Sequence, residues 1–264
     1  MSASGLTLAI DASAELGGVG LAAGDDLLAA REIGPPGRQA ETVLVAIDDL
    51  LHASGRALAD VTLVAVALGP GSFTGLRIGL AAAQGIGFGR GIPVVGVATT
   101  ALRMAWARLV SEDRGSAWVA LLDARRAELF VSHGASRPGD PVAIDEAAPP
   151  ELVAVDDLAE RLLPLARVAT AERPLVACGE GVPRAAGVLA SLADGLAGPE
   201  DQGVLRRVKT VSPPRPPDAV RLLAALGRRR FDREGAPPLL EPLYVRQPDA
   251  RKPRHPVVPP EERA

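Results

Sequence analysis

The stretch of sequence that decides the fold is Leu68-Gly69-Pro70-Gly71-Ser72-Phe73-Thr74-Gly75-Leu76-Arg77-Ile78-Gly79. It follows an apolar, β-branched run, Val61-Thr62-Leu63-Val64-Ala65-Val66-Ala67, and it precedes a long segment rich in alanine and glycine. This order predicts a buried strand, then a tight turn of glycine and proline, then a helix. Ser72 or Thr74 can cap that helix, because either side-chain oxygen can accept a hydrogen bond from the first free backbone N–H groups.

Two interpretations of this turn follow from its geometry. A glycine-rich approach to a helix N-terminus presents free N–H groups that can hold a phosphate, here around Gly69, Gly71 and Ser72. The simpler interpretation is a well-made connection between a strand and a helix, since most helix N-termini bind nothing. The turn is not a Walker A loop, because no Gly-Lys-Ser or Gly-Lys-Thr closes it.

Small residues recur every four positions along the predicted helix, at Gly75, Gly79, Ala83, Gly87 and Gly91. Each glycine inside a helix costs about 1 kcal/mol relative to alanine, so this face is expected to lie very close to another backbone. That backbone belongs either to the same chain, for example to a sheet, or to another chain. The spacing of the small residues does not separate these two alternatives.

Composition sets further bounds on the fold and function. The chain has 264 residues, of which 47% are hydrophobic and 23% are charged, which is ordinary for a globular protein with a substantial core. A formal net charge of -3 argues against a basic surface that binds nucleic acid unaided. The one cysteine, Cys178, cannot form a disulfide within the chain and is interpreted as a core residue. With neither a signal segment nor an apolar run of about 18 residues, we expect no membrane association and a cytoplasmic location.

The pattern of strands and turns predicts an α/β chain with two halves built on one plan. Ala9-Ile10-Asp11-Ala12 ends the first apolar strand and Leu121-Leu122-Asp123-Ala124 ends a later one, and a short turn and a returning strand follow each. We therefore expect an N-terminal lobe over residues 1–112 and a C-terminal lobe over residues 113–246. Residues 247–264 are polar and proline-rich, and we expect a mobile tail there.

Two carboxylates are the main candidates for chemistry. Asp11 and Asp123 end apolar strands beside short turns, a place that suits metal–nucleotide chemistry, although each could simply close its hairpin as an Asx-turn. The three histidines do not have the spacing of metal ligands, so no metal site is predicted. Ser72 lies in Gly-Ser-Phe-Thr-Gly, which is not a nucleophile elbow. We therefore assign no catalytic residue, and this pattern suits a protein that holds a partner better than a free-standing enzyme.

The motif from Gly69 to Gly79 resembles the signature of the TsaB (YeaZ) family. Three further segments resemble that family: Ala9-Ile10-Asp11-Ala12-Ser13, Leu122-Asp123-Ala124-Arg125-Arg126 and Glu241-Pro242-Leu243-Tyr244-Val245-Arg246. The resemblance extends from about Leu6 to Arg246 and is weakest between Asp140 and Val211.

This resemblance implies a fold, a function and partners. The implied fold is the two-lobed actin/Hsp70-like (ASKHA, ribonuclease H-like) α/β fold with a degenerate nucleotide site. The implied function is that of a non-catalytic scaffold and dimerisation subunit, which activates TsaD for transfer of threonylcarbamoyl from threonylcarbamoyl-AMP to the adenosine beside the tRNA anticodon. The implied partners are TsaD in a heterodimer, the ATPase TsaE in a ternary assembly, a second copy of the chain when it is alone, and tRNA through the complex. The alternative is a stand-alone ATPase or peptidase of the actin-like fold.

The resemblance also implies where the partner binds, namely on the helices of the N-terminal lobe. We assign to that interface Val43, Leu44, Ile47, Thr74, Gly75, Arg77, Gly79, Ala83 and Gly87. No cofactor is expected for the chain alone, and ATP or ADP at or near the partner interface is kept as an alternative. The candidate nucleotide-binding residues are Asp11, Ser13, Gly69, Gly71, Ser72 and Asp123.

Overall fold

The computed structural model describes residues 5–34, 37–111, 117–136, 144–146, 149–170, 172–195 and 208–246. The predicted mobile tail, residues 247–264, lies outside the described residues. Among the described residues, no helix combines the length and the apolar character needed to cross a bilayer.

The first lobe is built on a five-stranded mixed sheet. The apolar run before the Gly-Pro turn forms its central parallel strand, as predicted, because its β-branched residues are buried on both faces of the sheet. The order of the strands is β3-β2-β1-β4-β5, with β1, β2 and β3 antiparallel and with β4 and β5 parallel to β1. Their bounds are β1 Leu6–Asp11, β2 Gly17–Ala23, β3 Asp26–Ile33, β4 Val61–Gly69 and β5 Val94–Ala98.

Three helices come from the same part of the chain. Helices α1 (Gln39–Ser54) and α2 (Phe73–Arg90) cover one face of the first sheet, where they share a core with β1, β2 and β4. Both helices end at a glycine in the left-handed conformation, Gly55 after α1 and Gly91 after α2. Helix α3 (Thr99–Val110) follows β5 and leads toward the second lobe.

The second lobe repeats the hairpin arrangement of the first, which confirms the internal repeat predicted from the sequence. Its sheet has the order β11-β10-β6-β7-β8, and β9 pairs with β7. The β6-β7 hairpin matches the β1-β2 hairpin, and β10 and β11 add in parallel. The bounds are β6 Ala117–Asp123, β7 Glu128–Ser136, β8 Ile144–Glu146, β9 Glu151–Ala154, α4 Leu158–Val168, β10 Leu175–Cys178, α5 Val182–Gly195 and β11 Val208–Val211. The predicted two-lobed α/β fold is therefore confirmed.

Helix α6 (Pro216–Glu234) crosses back and packs on the first lobe, although from the sequence we placed it in the C-terminal lobe with the rest of residues 113–246. Its apolar residues share a core with Ala9, Ala22, Leu63 and Ala65 on the face of the first sheet opposite α1 and α2. The segment after α6 also lies on the first lobe, where the Leu243 N–H donates to the carbonyl oxygen of Leu68 at 2.7 Å. The first sheet has two apolar faces, and the second one is covered by α6, which comes from near the end of the chain, together with residues of α3.

Helix α3 lies between the lobes and contributes to both cores. Leu102 and Ala105 pack with α6 and the first sheet, whereas Met104 and Ala107 pack against the second sheet around Trp118. The two lobes thus share α3, whose buried residues pack into both cores.

Candidate functional site

The turn before α2 is packed against the turn that follows β1. Ser72 caps α2 as predicted, since its Oγ accepts a hydrogen bond from the Gly75 N–H at 3.2 Å. The Ser72 N–H in turn donates to the carbonyl oxygen of Ser13 at 2.8 Å. A Cβ added at Gly71 would lie 2.2 Å from that same Ser13 oxygen. Gly71 is therefore required for this backbone approach, and the geometry favours the structural interpretation of the loop over a phosphate cradle.

Asp11 is buried at the end of β1 and is satisfied by neighbouring groups. Its Oδ1 accepts hydrogen bonds from the Ser13 N–H at 2.9 Å and from the Ser13 Oγ at 2.5 Å, which is the Asx-turn predicted as the simpler interpretation. Its Oδ2 lies 3.5 Å from Nη1 of Arg103, a residue of α3 that the sequence did not single out. Both side chains are almost completely buried.

Arg103 also reaches the second lobe, where it binds Glu180 in the turn after β10. Its Nε and Nη2 both contact Oε1 of Glu180, at 2.9 Å and 2.7 Å. Burial alone would disfavour the charged guanidinium, but the carboxylates of Glu180 and Asp11 outweigh burial and raise the pKa of Arg103 above its ordinary value. Arg103 therefore stays charged and links the carboxylates of two lobes inside the molecule.

Asp123 occupies the matching place in the second lobe and is also engaged. Its Oδ1 accepts from the Arg125 N–H at 2.8 Å, again an Asx-type contact, and its Oδ2 pairs with Arg184 at 3.1 Å. The Arg125 side chain pairs with Glu15, which lies in the turn after β1, so the two hairpin turns are joined across the lobes. Of the six candidate nucleotide residues, five meet at the β1 and α2 turns, and Asp123 lies across this ion pair in the other lobe. Among the described residues, no group of three or more histidine, cysteine, aspartate or glutamate side chains is placed to hold a metal ion.

The small-residue stripe of α2, which we assigned to the partner interface from the sequence, faces the interior of its own chain. Gly75, Gly79, Ala83 and Gly87 are all buried. A Cβ added at Gly75 would lie 2.0 Å from the carbonyl oxygen of Ala12, and one at Gly87 would lie 2.3 Å from the Val94 side chain.

Two residues of α1 that were assigned to the interface are also buried. Val43 and Ile47 belong to the core beneath α1, which they share with the first sheet. The regular spacing that made both sets conspicuous in the sequence is the spacing of a helix face packed on a sheet.

The other three predicted interface residues, Leu44, Thr74 and Arg77, are exposed. With about 100° of rotation per residue, Arg77, Ala81, Gly85 and Phe88 lie within about 80° of one another on the solvent side of α2. Leu44 and Val45 of α1 are 59% and 58% exposed, and Phe88 is 93% exposed. This surface contains a shallow apolar groove lined by Leu44, Leu58, Ala81, Ala82, Gly85, Ile86, Gly89 and Arg90. We call the exposed side of α1 and α2 that contains Arg77, Phe88 and this groove the α1–α2 surface.

Gly85 and Gly89 distinguish the α1–α2 surface from an ordinary solvent face. A Cβ added at either glycine would meet nothing within 4 Å, so packing inside the chain does not require them. Each still costs about 1 kcal/mol of helix stability relative to alanine. The sequence contained this signal as glycines off the four-residue stripe, but only the structure separates the glycines that the core requires from those that it does not.

A second feature of the same surface is a stacked arginine at the start of α2. The Arg77 guanidinium carbon lies 3.9 Å from the Phe73 ring centroid and 5.7 Å from that of Tyr244. The Arg77 Nε donates to the Tyr244 Oη at 2.7 Å, and the two rings are 5.1 Å apart. Tyr244 comes from the C-terminal segment, so sequence spacing could not bring it to Arg77.

Comparison with known proteins gives one family and several relatives. A model of the family described as TsaD: tRNA N6-adenosine threonylcarbamoyltransferase matches residues 38–182. The chain is similar to the tRNA threonylcarbamoyladenosine biosynthesis protein TsaB of Escherichia coli (strain K12), with 36% identity over 97 residues, 36% of this chain and 40% of that protein. It is similar to the protein of the same description from Haemophilus influenzae, with 40% identity over 91 residues, 34% of this chain and 37% of that protein. The matched region thus spans about two fifths of the length of these relatives.

One solved structure extends the likeness over most of the chain. It is a Pseudomonas aeruginosa protein described as similar to peptidase YEAZ, which is 23% identical, covers 92% of this chain and 100% of its own, and has a TM-score of 0.64. That likeness shows the fold. Together with the curated relatives, it confirms the resemblance to TsaB (YeaZ) proteins found in the motifs.

Proposed function

The chain belongs to the family described as TsaD, tRNA N6-adenosine threonylcarbamoyltransferase, and from this membership we propose that it works in the threonylcarbamoylation of tRNA as a non-catalytic scaffold subunit. In this role the chain docks on a catalytic TsaD protein and supports transfer of the threonylcarbamoyl group to tRNA. The names of its relatives, TsaB proteins of threonylcarbamoyladenosine biosynthesis, support the process.

The observation that carries the docking role is the α1–α2 surface. It exposes Leu44, Val45 and Phe88 beside glycines that the core does not need. Leu44 lines the apolar groove together with Gly85 and Gly89, and exposed apolar surface of this kind usually marks an interaction site. Glycine on a helix face lets the backbone of a second helix come closer than any side chain would allow. A helical partner therefore fits this surface better than a small ligand does.

The internal contacts of Asp11 and Gly71 support a scaffold rather than an enzyme. The carboxylate of Asp11 binds Ser13 and lies against the guanidinium of Arg103, and the loop at Gly71 lies on the Ser13 carbonyl. A metal–nucleotide complex would have to displace these internal contacts. We infer that any nucleotide held by the assembly binds at or near the partner interface, and that the chain alone requires none.

The test of the docking role is a bulky substitution on the α1–α2 surface. Gly85→Leu should leave the fold intact, because the added side chain points into open space. It should block association with the TsaD protein of the same organism and abolish modification of tRNA in a reconstituted assay. Gly187→Leu in α5 is the matched control, since that glycine also has open space around it, and it should associate normally. A Gly85→Leu chain that still co-purifies with TsaD and supports modification would place the interface elsewhere.

The same surface suits self-association of the isolated chain, and we propose that a homodimer and the heterodimer with TsaD use it in turn. The mass of the chain, measured alone and after addition of TsaD, tests this proposal. From the family resemblance we also propose that TsaE joins the assembly and that tRNA is contacted through the complex. The same reconstitution, carried out with and without TsaE, tests both proposals.

A further inference from the structure

The side chain of Arg77 is held in one orientation on an exposed surface. It lies between the Phe73 ring, 3.9 Å from the guanidinium carbon, and the Tyr244 hydroxyl, which accepts from Nε at 2.7 Å. An exposed arginine ordinarily loses side-chain entropy when a partner fixes it. Here the chain has already fixed it, so an interaction with a partner starts from a preorganised guanidinium.

The charge of Arg77 has no carboxylate partner among the described residues, unlike most of the arginines around the lobe junction. Arg103, Arg125, Arg184 and Arg246 each pair with an aspartate or glutamate. The Arg77 Nε donates to Tyr244, but its terminal nitrogens make no hydrogen bond or ion pair with a described residue. The N–H groups on these nitrogens form the planar fork that binds a carboxylate through two parallel hydrogen bonds.

Arg77 lies on the same side of α2 as the α1–α2 surface. It precedes Ala81 and Gly85 by four and eight residues, which is about 6 Å and 12 Å along the helix. A helix that packs over Gly85 therefore extends past Arg77. The partial positive charge of the α2 N-terminus adds to that of the guanidinium, so this end of the surface attracts an anionic group.

Resting on the docking role proposed above, we propose that Arg77, held by Phe73 and Tyr244, binds an aspartate or glutamate side chain of the docked protein and so fixes the direction in which that protein lies on the α1–α2 surface. A protein carboxylate suits the site better than an RNA phosphate does. The surface that continues from Arg77 is apolar, with Ala81, Leu44 and Phe88, and the whole chain has a net charge of -3.

The test measures the affinity of the full chain for the TsaD protein of the same organism by calorimetry, at low and at high salt. Arg77→Met keeps most of the volume of the side chain and removes its charge, and it should weaken binding about tenfold at low salt. It should also reduce the salt dependence of the affinity, because screening acts on the contact that was lost. Arg77→Lys keeps the charge but not the fork, and it should recover only part of the affinity.

Two further variants separate the positioning of the Arg77 guanidinium from its charge and provide a control. Tyr244→Phe keeps the ring and removes the oxygen that accepts from Arg77, so it should weaken binding by a few-fold while leaving the salt dependence in place. Arg167→Met, at an exposed position of α4 in the second lobe, is the control and should bind like the unmodified chain. Thermal unfolding of each variant should stay close to that of the unmodified chain, because these side chains are exposed and their loss leaves no buried group without a partner.

The outcomes distinguish this proposal from the docking role. If Gly85→Leu abolishes binding while Arg77→Met binds with unchanged affinity and salt dependence, the docking role stands and the carboxylate contact is wrong. If neither variant changes binding, both are wrong. If Arg77→Met binds TsaD normally but the assembled complex retains less tRNA, the anion is an RNA phosphate and the proposal is overturned.

Discussion

Single glycines in α2 have opposite structural roles, although the sequence presents them alike. Gly75 and Gly79 lie against the backbone and side chain of Ala12, whereas Gly85 has open space beyond its Cα. The first two glycines are explained by packing within the chain. The third weakens the helix without improving the core, and the proposed docking role gives a reason for it.

This difference gives a stability prediction for two alanine substitutions. Gly75→Ala should destabilise the chain by at least about 1–3 kcal/mol, because its Cβ would lie 2.0 Å from the carbonyl oxygen of Ala12. Gly85→Ala should stabilise it by about 0.5–1 kcal/mol, because alanine is the better helix former and nothing opposes its Cβ. Urea unfolding followed by circular dichroism measures both changes. Equal effects of the two substitutions would contradict the assignment of inner and outer faces.

At the scale of elements, α6 is a part of the first lobe although it lies far along the chain from the other elements of that lobe, so its packing cannot be read from the order of the elements. Its residues Val220, Leu223 and Ala224 are completely buried, and a Cβ added at Gly20 of β2 would lie only 2.5 Å from Val220. Gly20 therefore lets α6 lie close to the sheet. The helix supplies the apolar cover that the five strands need on the face opposite α1 and α2.

A pair of substitutions on α6 tests this cover. Leu223→Ala should lower the free energy of unfolding by about 2–5 kcal/mol, because it leaves a cavity between α6 and the first sheet. Arg221→Ala, two residues away on the exposed side of the same helix, should change it by no more than about 0.5 kcal/mol. Denaturant unfolding gives both values. A small effect of Leu223→Ala would mean that α6 is dispensable for the first lobe.

At the scale of the whole molecule, the lobes are joined by one buried helix and a buried charge. Arg103 of α3 binds Asp11 of the first lobe and Glu180 of the second, and next to it on α3 Met104 packs among Trp118 and Cys178. Burial raises the pKa of the Cys178 thiol, so in the closed molecule the thiol is neither accessible nor ionised. Reaction of this single cysteine therefore reports opening of the structure.

The prediction for the lobe junction uses that thiol. Arg103→Met should cost about 3–5 kcal/mol, because it leaves the buried Asp11 carboxylate without its cation. Labelling of Cys178 by a thiol reagent under native conditions should then become at least about a hundredfold faster, since the open population rises about tenfold for each 1.4 kcal/mol.

Glu15→Gln provides the control at the same junction. It breaks the exposed pair with Arg125, and an exposed pair contributes at most about 1 kcal/mol, so its labelling rate should change little. An unchanged labelling rate in Arg103→Met would show that the ion pair does not hold the lobes together.

The sequence by itself determined the local structure and the repeat of one hairpin arrangement in the two lobes. The strand before Gly69, the cap at Ser72, the ends of α1 and α2 at glycine and the two matching hairpins all depend on backbone preferences and short-range hydrogen bonds, which neighbouring residues specify. The motifs also pointed to the correct family, because they are long and contiguous.

Only the tertiary structure decided which face of each helix is inside and which groups meet across the chain. The stripe of Gly75, Gly79, Ala83 and Gly87 has the same period whether it faces a sheet or a partner, so periodicity could not place it. Arg103 looked like any helical arginine until folding placed it between Asp11 and Glu180. Likewise, the partner of Arg77 is Tyr244, which is 167 residues away. The free energy of such contacts depends on burial and on long-range proximity, which the order of residues does not specify.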